Sequence, residues 1–127
     1  VKVEVSPKTT ISTGDIGGPS AGLMFSLACY QNYTGKDLTK GHKVAGTGTI
    51  DANGKVGIIG GVDKKVVAAD KEGAEVFFAP TDQTGVKKSQ TNYAVAKRTA
   101  KKLGTKMKIV PVATFDDALK YLQKHYK

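Results

Sequence analysis

Cysteine is almost missing from this 127-residue chain: the single Cys29 excludes an internal disulfide and leaves the redox compartment undetermined. There is no tryptophan, and only two histidines, His42 and His125, which stand far apart without cysteine partners at ligand spacing. A zinc site of the usual kind is therefore not expected, nor any other metal or cofactor, and both histidines read as exposed bystanders. No apolar run approaches the roughly 20 residues of a membrane helix, and nothing resembles a charged-then-apolar signal peptide. Acidic residues are scarce at one end only. Residues 1–85 carry nine basic and nine acidic side chains, whereas residues 86–127 carry eleven basic ones against Asp116 and Asp117. A basic patch can serve nucleic acid or an anionic membrane surface. The stretch Tyr93 to Lys102 has no aromatic interleaving and no nucleic-acid motif, so a solvated helix face is the expectation and no nucleic-acid partner is expected.

What is present is ordinary for a folded domain. Hydrophobic residues make up 39% and charged residues 24%, near globular averages. The length fits one domain spanning residues 1–127. The chain opens in mid-pattern at Val1-Lys2-Val3-Glu4-Val5 without an initiator Met, and is expected to be a piece of a longer protein.

The alternation of Val1, Val3 and Val5 predicts a half-buried strand closed by Ser6-Pro7, followed by a loop rich in Gly, Ser and Thr over 9–18. Pro19 suits the first turn of a helix, and Leu23, Met24, Leu27, Ala28 and Tyr30 continue it until Gly35, with Cys29 expected in the core. Residues 43–50 and 55–59 read as two strands joined at Asn53-Gly54. Gly60-Gly61 opens a helix from Val62 to about Lys71, with Val66, Val67 and Ala69 inward. A strand over 75–79 closes at Pro80, and a polar loop over 81–88 precedes a helix from about Gln90 to Leu103 capped by Gly104. Residues 107–112 form a strand whose Pro111 suggests an edge or terminal position. Thr114 and Asp117 make a capping box for the last helix, whose stripe is Phe115, Ala118, Leu119 and Leu122. The expected class is α/β of a mixed kind: a mixed sheet packed with about four helices.

Nucleotide motifs fail on inspection. Gly54-Lys55-Val56 has Thr49 where a phosphate loop needs its first glycine and no hydroxyl after the lysine, and Gly46-Thr47-Gly48 lacks the third glycine of a dinucleotide fingerprint. Neither histidine sits where a serine–histidine–aspartate triad would bury one. Serine or threonine activated by lysine remains. Gly17-Gly18-Pro19-Ser20-Ala21-Gly22 puts a hydroxyl at a helix N-terminus, beside backbone N–H groups able to hold an oxyanion. On local sequence alone a simple capping role for Ser20 is the stronger reading. Lys64 or Lys65 is the candidate base, among Val62, Val66, Val67, Ala68 and Ala69.

Three ordered blocks carry a resemblance: Gly18-Pro19-Ser20-Ala21-Gly22, Thr47-Gly48-Thr49-Ile50, and Gly60-Gly61-Val62-Asp63-Lys64-Lys65-Val66-Val67-Ala68-Ala69. Together they resemble the proteolytic domain of the Lon protease family, as does the spacing of 45 residues from Ser20 to Lys65. The similarity continues from Gly73 to Pro80, and the closing stretch over 107–119 is similar to the membrane-anchored bacterial branch that joins a PDZ domain to a Lon-type domain. The resemblance implies a fold akin to a ribosomal protein domain and a serine endopeptidase with a serine–lysine dyad. Ser20 would be the nucleophile, Lys65 the base and Thr47 the residue that orients the lysine. Backbone groups of Gly18, Ser20 and Ala21 are the oxyanion candidates, since Pro19 has no N–H. Polypeptide substrates, a hexameric ring and, in the full-length protein, association with a bacterial membrane are further implications. One departure stands out: ATP-dependent members often carry aspartate three residues before the serine, where this chain has Gly17, and Asp15 lies two residues further back. A loop role in local turn bonding is the alternative for Asp15.

A lysine accepts a proton only when neutral, and an exposed lysine with a pKa near 10.4 is less than about a thousandth neutral at pH 7. A base of this type therefore needs surroundings that disfavour the ammonium form by roughly 4 kcal/mol. With no ATPase motif in the chain, cleavage without ATP is the first expectation. A non-catalytic protein-binding module of the same fold, or a basic nucleic-acid-binding domain, are the rival readings.

Overall fold

The computed structural model describes residues 22–36, 38–57, 59–81 and 91–125. The expected first strand, the loop after it, Asp15, Gly18, Ser20, Ala21 and most of the 81–88 loop lie outside them. In chain order the elements are α1 (Gly22–Thr34), β1 (Val44–Gly46), β2 (Thr49–Ile50), β3 (Val56–Gly57), α2 (Val62–Lys71), β4 (Val76–Pro80), α3 (Asn92–Leu103), β5 (Lys108–Val112) and α4 (Phe115–His125).

β1, β4 and β5 form a parallel sheet with β4 in the middle, and β2 pairs with β3 as a separate antiparallel ribbon. All five residues of β4 are buried, as a central strand covered on both faces requires. Its side chains alternate between two clusters. Val76 and Phe78 join Val44, Val110 and Val112 beneath α1 and α4, while Phe77 and Ala79 join Ala45 beneath α2 and α3. Among the described residues the result is a three-layer α/β arrangement with four helices.

Helix boundaries follow local chemistry. Thr91 Oγ1 accepts from the Ala94 amide at 3.2 Å to start α3, and Gly104 ends it in the left-handed region. At α4 the expected box is present: Thr114 Oγ1 accepts from the Asp117 amide at 3.1 Å, and Asp117 Oδ2 accepts from the Thr114 amide at 3.1 Å. α2 starts after Gly61, whose φ of 71° is a left-handed value that a β-carbon would strain.

Three expectations need correction. The strand expected over 43–50 is two short strands in different sheets, because the chain turns away from β4 at Gly48 before pairing with β3. The strand expected to stop before Pro80 includes it, paired with Val112. Cys29, expected in the core, is exposed. The buried face of α1 is Leu23, Met24, Leu27, Ala28 and Gln31, and at 100° per residue Cys29 falls on the opposite side with Phe25 and Tyr33.

Candidate functional site

Of the residues that the sequence points to, Thr47 stands just past the C-terminal end of β1. The Thr47 amide donates to Phe78 O at 3.0 Å, which carries the β1–β4 pairing one residue past the strand. Thr47 is 1% exposed. Strand alternation puts it on the same side as Ala45, which packs with Val62 and Val66 of α2. The next residue ties down the other helix: Gly48 O accepts from the Leu23 amide at 2.9 Å, at the start of α1 and three residues after Ser20 in sequence. Gly48 has φ of 139°, and a β-carbon built on it would stand 2.6 Å from Val56 Cγ1. No other residue type fits there without displacing the β2–β3 ribbon.

On α2 the two candidate lysines differ in setting. Val62, Val66 and Ala69 are buried, Lys65 is half-buried beside them, and Lys64 is exposed. The apolar surround is thinner than the sequence suggested, since Val67 is only half-buried and Ala68 is exposed. Thus α2 and the Thr47 end of β1 share one face of the sheet, and the start of α1 is bonded to the adjacent residue. Of the site residues read from sequence, the structure describes Thr47 and Lys65; Gly18, Ser20 and Ala21 lie outside the described residues.

One residue escaped the sequence reading. Asn92, buried at the first turn of α3, bonds both backbone groups of Ile59: its Oδ1 accepts from the Ile59 amide at 2.9 Å and its Nδ2 donates to Ile59 O at 3.0 Å. Ile59 immediately precedes the Gly60-Gly61 turn that launches α2, so this clamp fixes where the helix bearing Lys65 begins. An asparagine after Thr91 reads locally as part of a helix cap, and nothing nearby in sequence signals a partner 33 residues away.

The histidines are exposed, yet each has company. His42 Nδ1 stands 3.0 Å from Glu75 Oε2, and the His125 ring stacks on Tyr121 with centroids 4.2 Å apart. Among the described residues no group of three His, Cys, Asp or Glu side chains could hold a metal ion.

Comparison with known proteins fits this geometry. Residues 10–124 match the family model described as the Lon protease (S16) C-terminal proteolytic domain. The chain is 33% identical over 105 residues to a Lon protease of Metamycoplasma arthritidis, covering 83% of this chain and 11% of that protein. A Lon protease of Campylobacter jejuni is 34% identical over 105 residues, covering 82% of this chain and 12% of the relative. One from Mycoplasma mobile is 42% identical over 65 residues, covering 51% of this chain and 8% of the relative. The chain thus spans about a tenth of the length of the curated relatives it matches.

Proposed function

Because this chain belongs to the Lon protease (S16) C-terminal proteolytic domain family, we propose that it is a serine-type peptidase domain that hydrolyses exposed or unfolded polypeptide with a Ser20–Lys65 dyad. The observation that supports this most is the half-buried Lys65 on α2, set on the same face of the sheet as the buried Thr47, while its neighbour Lys64 points to solvent.

A serine hydroxyl is a weak nucleophile until a base removes its proton. In this reading Lys65 Nζ takes the proton as Ser20 Oγ attacks the scissile carbonyl. It then returns that proton to the leaving amine, and water hydrolyses the acyl-enzyme. Thr47 orients the lysine, and backbone amides drawn from Gly18, Ser20 and Ala21 hold the oxyanion. No step uses a nucleotide, in keeping with the lack of a phosphate-binding loop in the sequence. The Asn92 clamp on Ile59 and the bond from Leu23 to Gly48 O hold the two helices against the end of β1.

The test is cleavage of casein without ATP. The unaltered chain digests it, and Ser20→Ala abolishes digestion with an unchanged melting temperature. Full activity in Ser20→Ala contradicts the reading.

A further inference from the structure

The basic last third, expected as a solvated face, also lines a groove. α3, β5 and α4 line a groove of about 1130 Å³, and no residue of α2 is among its lining. Buried Ala100, Met107 and Val110 contribute an apolar floor. Lysines stand over aromatic rings in its wall: Lys97 Nζ is 5.7 Å from the centroid of Tyr93, and Lys108 Nζ is 5.9 Å from that of Tyr121. Lys101 and Lys124 also line it. Lys97 and Tyr93 stand one turn apart on α3, whereas the Lys108 contact is created by folding, because Tyr121 arrives from α4.

Among the described residues that line it, five lysines stand against one carboxylate, Asp117. Among the described residues none of Lys97, Lys101, Lys108 and Lys124 forms an ion pair. Asp117 and the acidic groups near it have other partners. Asp117 accepts the Ala113 and Thr114 amides, Asp116 pairs with Lys120 at 2.8 Å, and Asp70 accepts the Thr105 hydroxyl. The groove thus presents a net positive surface, which favours an occupant carrying negative charge.

We propose that this groove binds an acidic polypeptide segment in extended form, its carboxylates on the lysines and its apolar side chains on the floor. β5 runs five residues along it, roughly 16 Å, which suits about five extended residues. Side chains rather than strand addition hold the occupant. The Lys108 amide bonds to Glu75 O, so Lys108, Val110 and Val112 direct their backbone groups to β4. Of the two alternate positions Pro111 has no N–H, which leaves the Ile109 amide as the one outward donor of β5, too few for a paired strand. A single-stranded nucleic acid fits less well. Stacking of bases needs open ring faces, and the Tyr121 ring is already engaged edge-on by Phe78, stacked by His125 and approached by Lys108.

The proposal concerns binding alone, so the test uses the Ser20→Ala chain, in which cutting of the probe plays no part. Fluorescence anisotropy is measured with a labelled peptide repeating Glu-Leu-Glu-Gly, with its Lys-for-Glu counterpart and with labelled oligothymidylate. The acidic peptide binds and the basic one does not. Lys97→Glu, Lys101→Glu and Lys124→Glu together weaken binding by about tenfold or more. The same reversal at exposed Lys36, Lys64 and Lys71, giving an equal net charge, changes it by less than about twofold. A milder set, Lys97→Gln, Lys101→Gln and Lys124→Gln, weakens it by about threefold or more and guards against misfolding of the reversed variant. No binding of the acidic peptide, equal losses in the two reversed sets, unchanged affinity in the glutamine set, or tighter binding of oligothymidylate each overturns the proposal.

Discussion

The two faces of the sheet are packed by different means. Under α1 and α4 the cluster is built from large side chains, with Leu23, Met24, Leu27, Phe78 and Leu122 at its centre. Under α2 and α3, six of the ten buried members are alanine: Ala45, Ala69, Ala74, Ala79, Ala96 and Ala100. Large side chains contribute stability through buried area, about 1.5–3 kcal/mol for each fully buried Leu or Phe. Small ones contribute less, but they bring helix and strand backbones close, so an added methylene displaces a whole helix. The face that carries Lys65 and Thr47 is the small-residue face. Stability and placement of the candidate site are thus assigned to opposite sides of one sheet.

Substitutions that shift size in opposite directions break this comparison. The largest loss of stability is expected for Leu27→Ala, at a position 0% exposed in the large-residue cluster. Truncation there leaves a cavity and costs about 2–5 kcal/mol, read from urea denaturation. Ala96→Leu, also at 0% exposure but on the other face, overpacks α3 against α2 and costs about 1–3 kcal/mol. It should depress casein cleavage more than Leu27→Ala does under conditions where both variants are folded, because it moves the helix that carries Lys65. Equal cleavage by the two would remove the distinction between the faces.

Asn92→Ala sharpens the same point with a smaller energy. It leaves both backbone groups of Ile59 without their side-chain partner. The cost is about 1 kcal/mol, since Ile59 is only half-buried and water can replace part of what is lost. The expected signature is a fall in kcat with KM nearly unchanged, partly restored in Asn92→Asp, whose carboxylate still accepts the Ile59 amide.

The smallest effects belong to the basic face. Neutralising Lys97, Lys101 and Lys102 to Gln leaves cleavage of an uncharged peptide nearly unchanged, because these side chains are exposed. The Lys120 amine is held above its ordinary value by the hydrogen bond and charge of Asp116. A lysine pKa raised on folding contributes stability below its unfolded value and loses it as pH rises through the folded one. Lys120→Gln should therefore narrow the gap in melting temperature between neutral and strongly alkaline solution by a small, salt-sensitive amount.

How much could be read from the chain itself depended on the range of the interaction. The bounds of α2, the Thr114–Asp117 box and the edge position of β5 rest on signals within a few residues, and each was legible. The division of 43–50 into two strands was not, because it depends on Val56 pressing against Gly48. Helical spacing marked α1 as core, yet α1 is apolar on nearly every side, so the pattern could not tell that Cys29 faces outward. Asn92 and the Lys108–Tyr121 contact were invisible for a related reason: their partners are brought together only by the packing of α3 on α2 and of α4 on β5. The candidate lysine was narrowed to a pair by local sequence and to one by resemblance. The structure adds the difference in exposure between the two.

The central claim, that Lys65 is the base, is tested most directly by casein cleavage in three single variants whose folding is checked by melting. Lys64→Ala should retain activity and Lys65→Ala should have none. Lys65→Arg should also be inactive, since a guanidinium keeps its proton and cannot accept another. An active Lys65→Arg enzyme, or a folded Lys64→Ala enzyme without activity, would contradict the assignment.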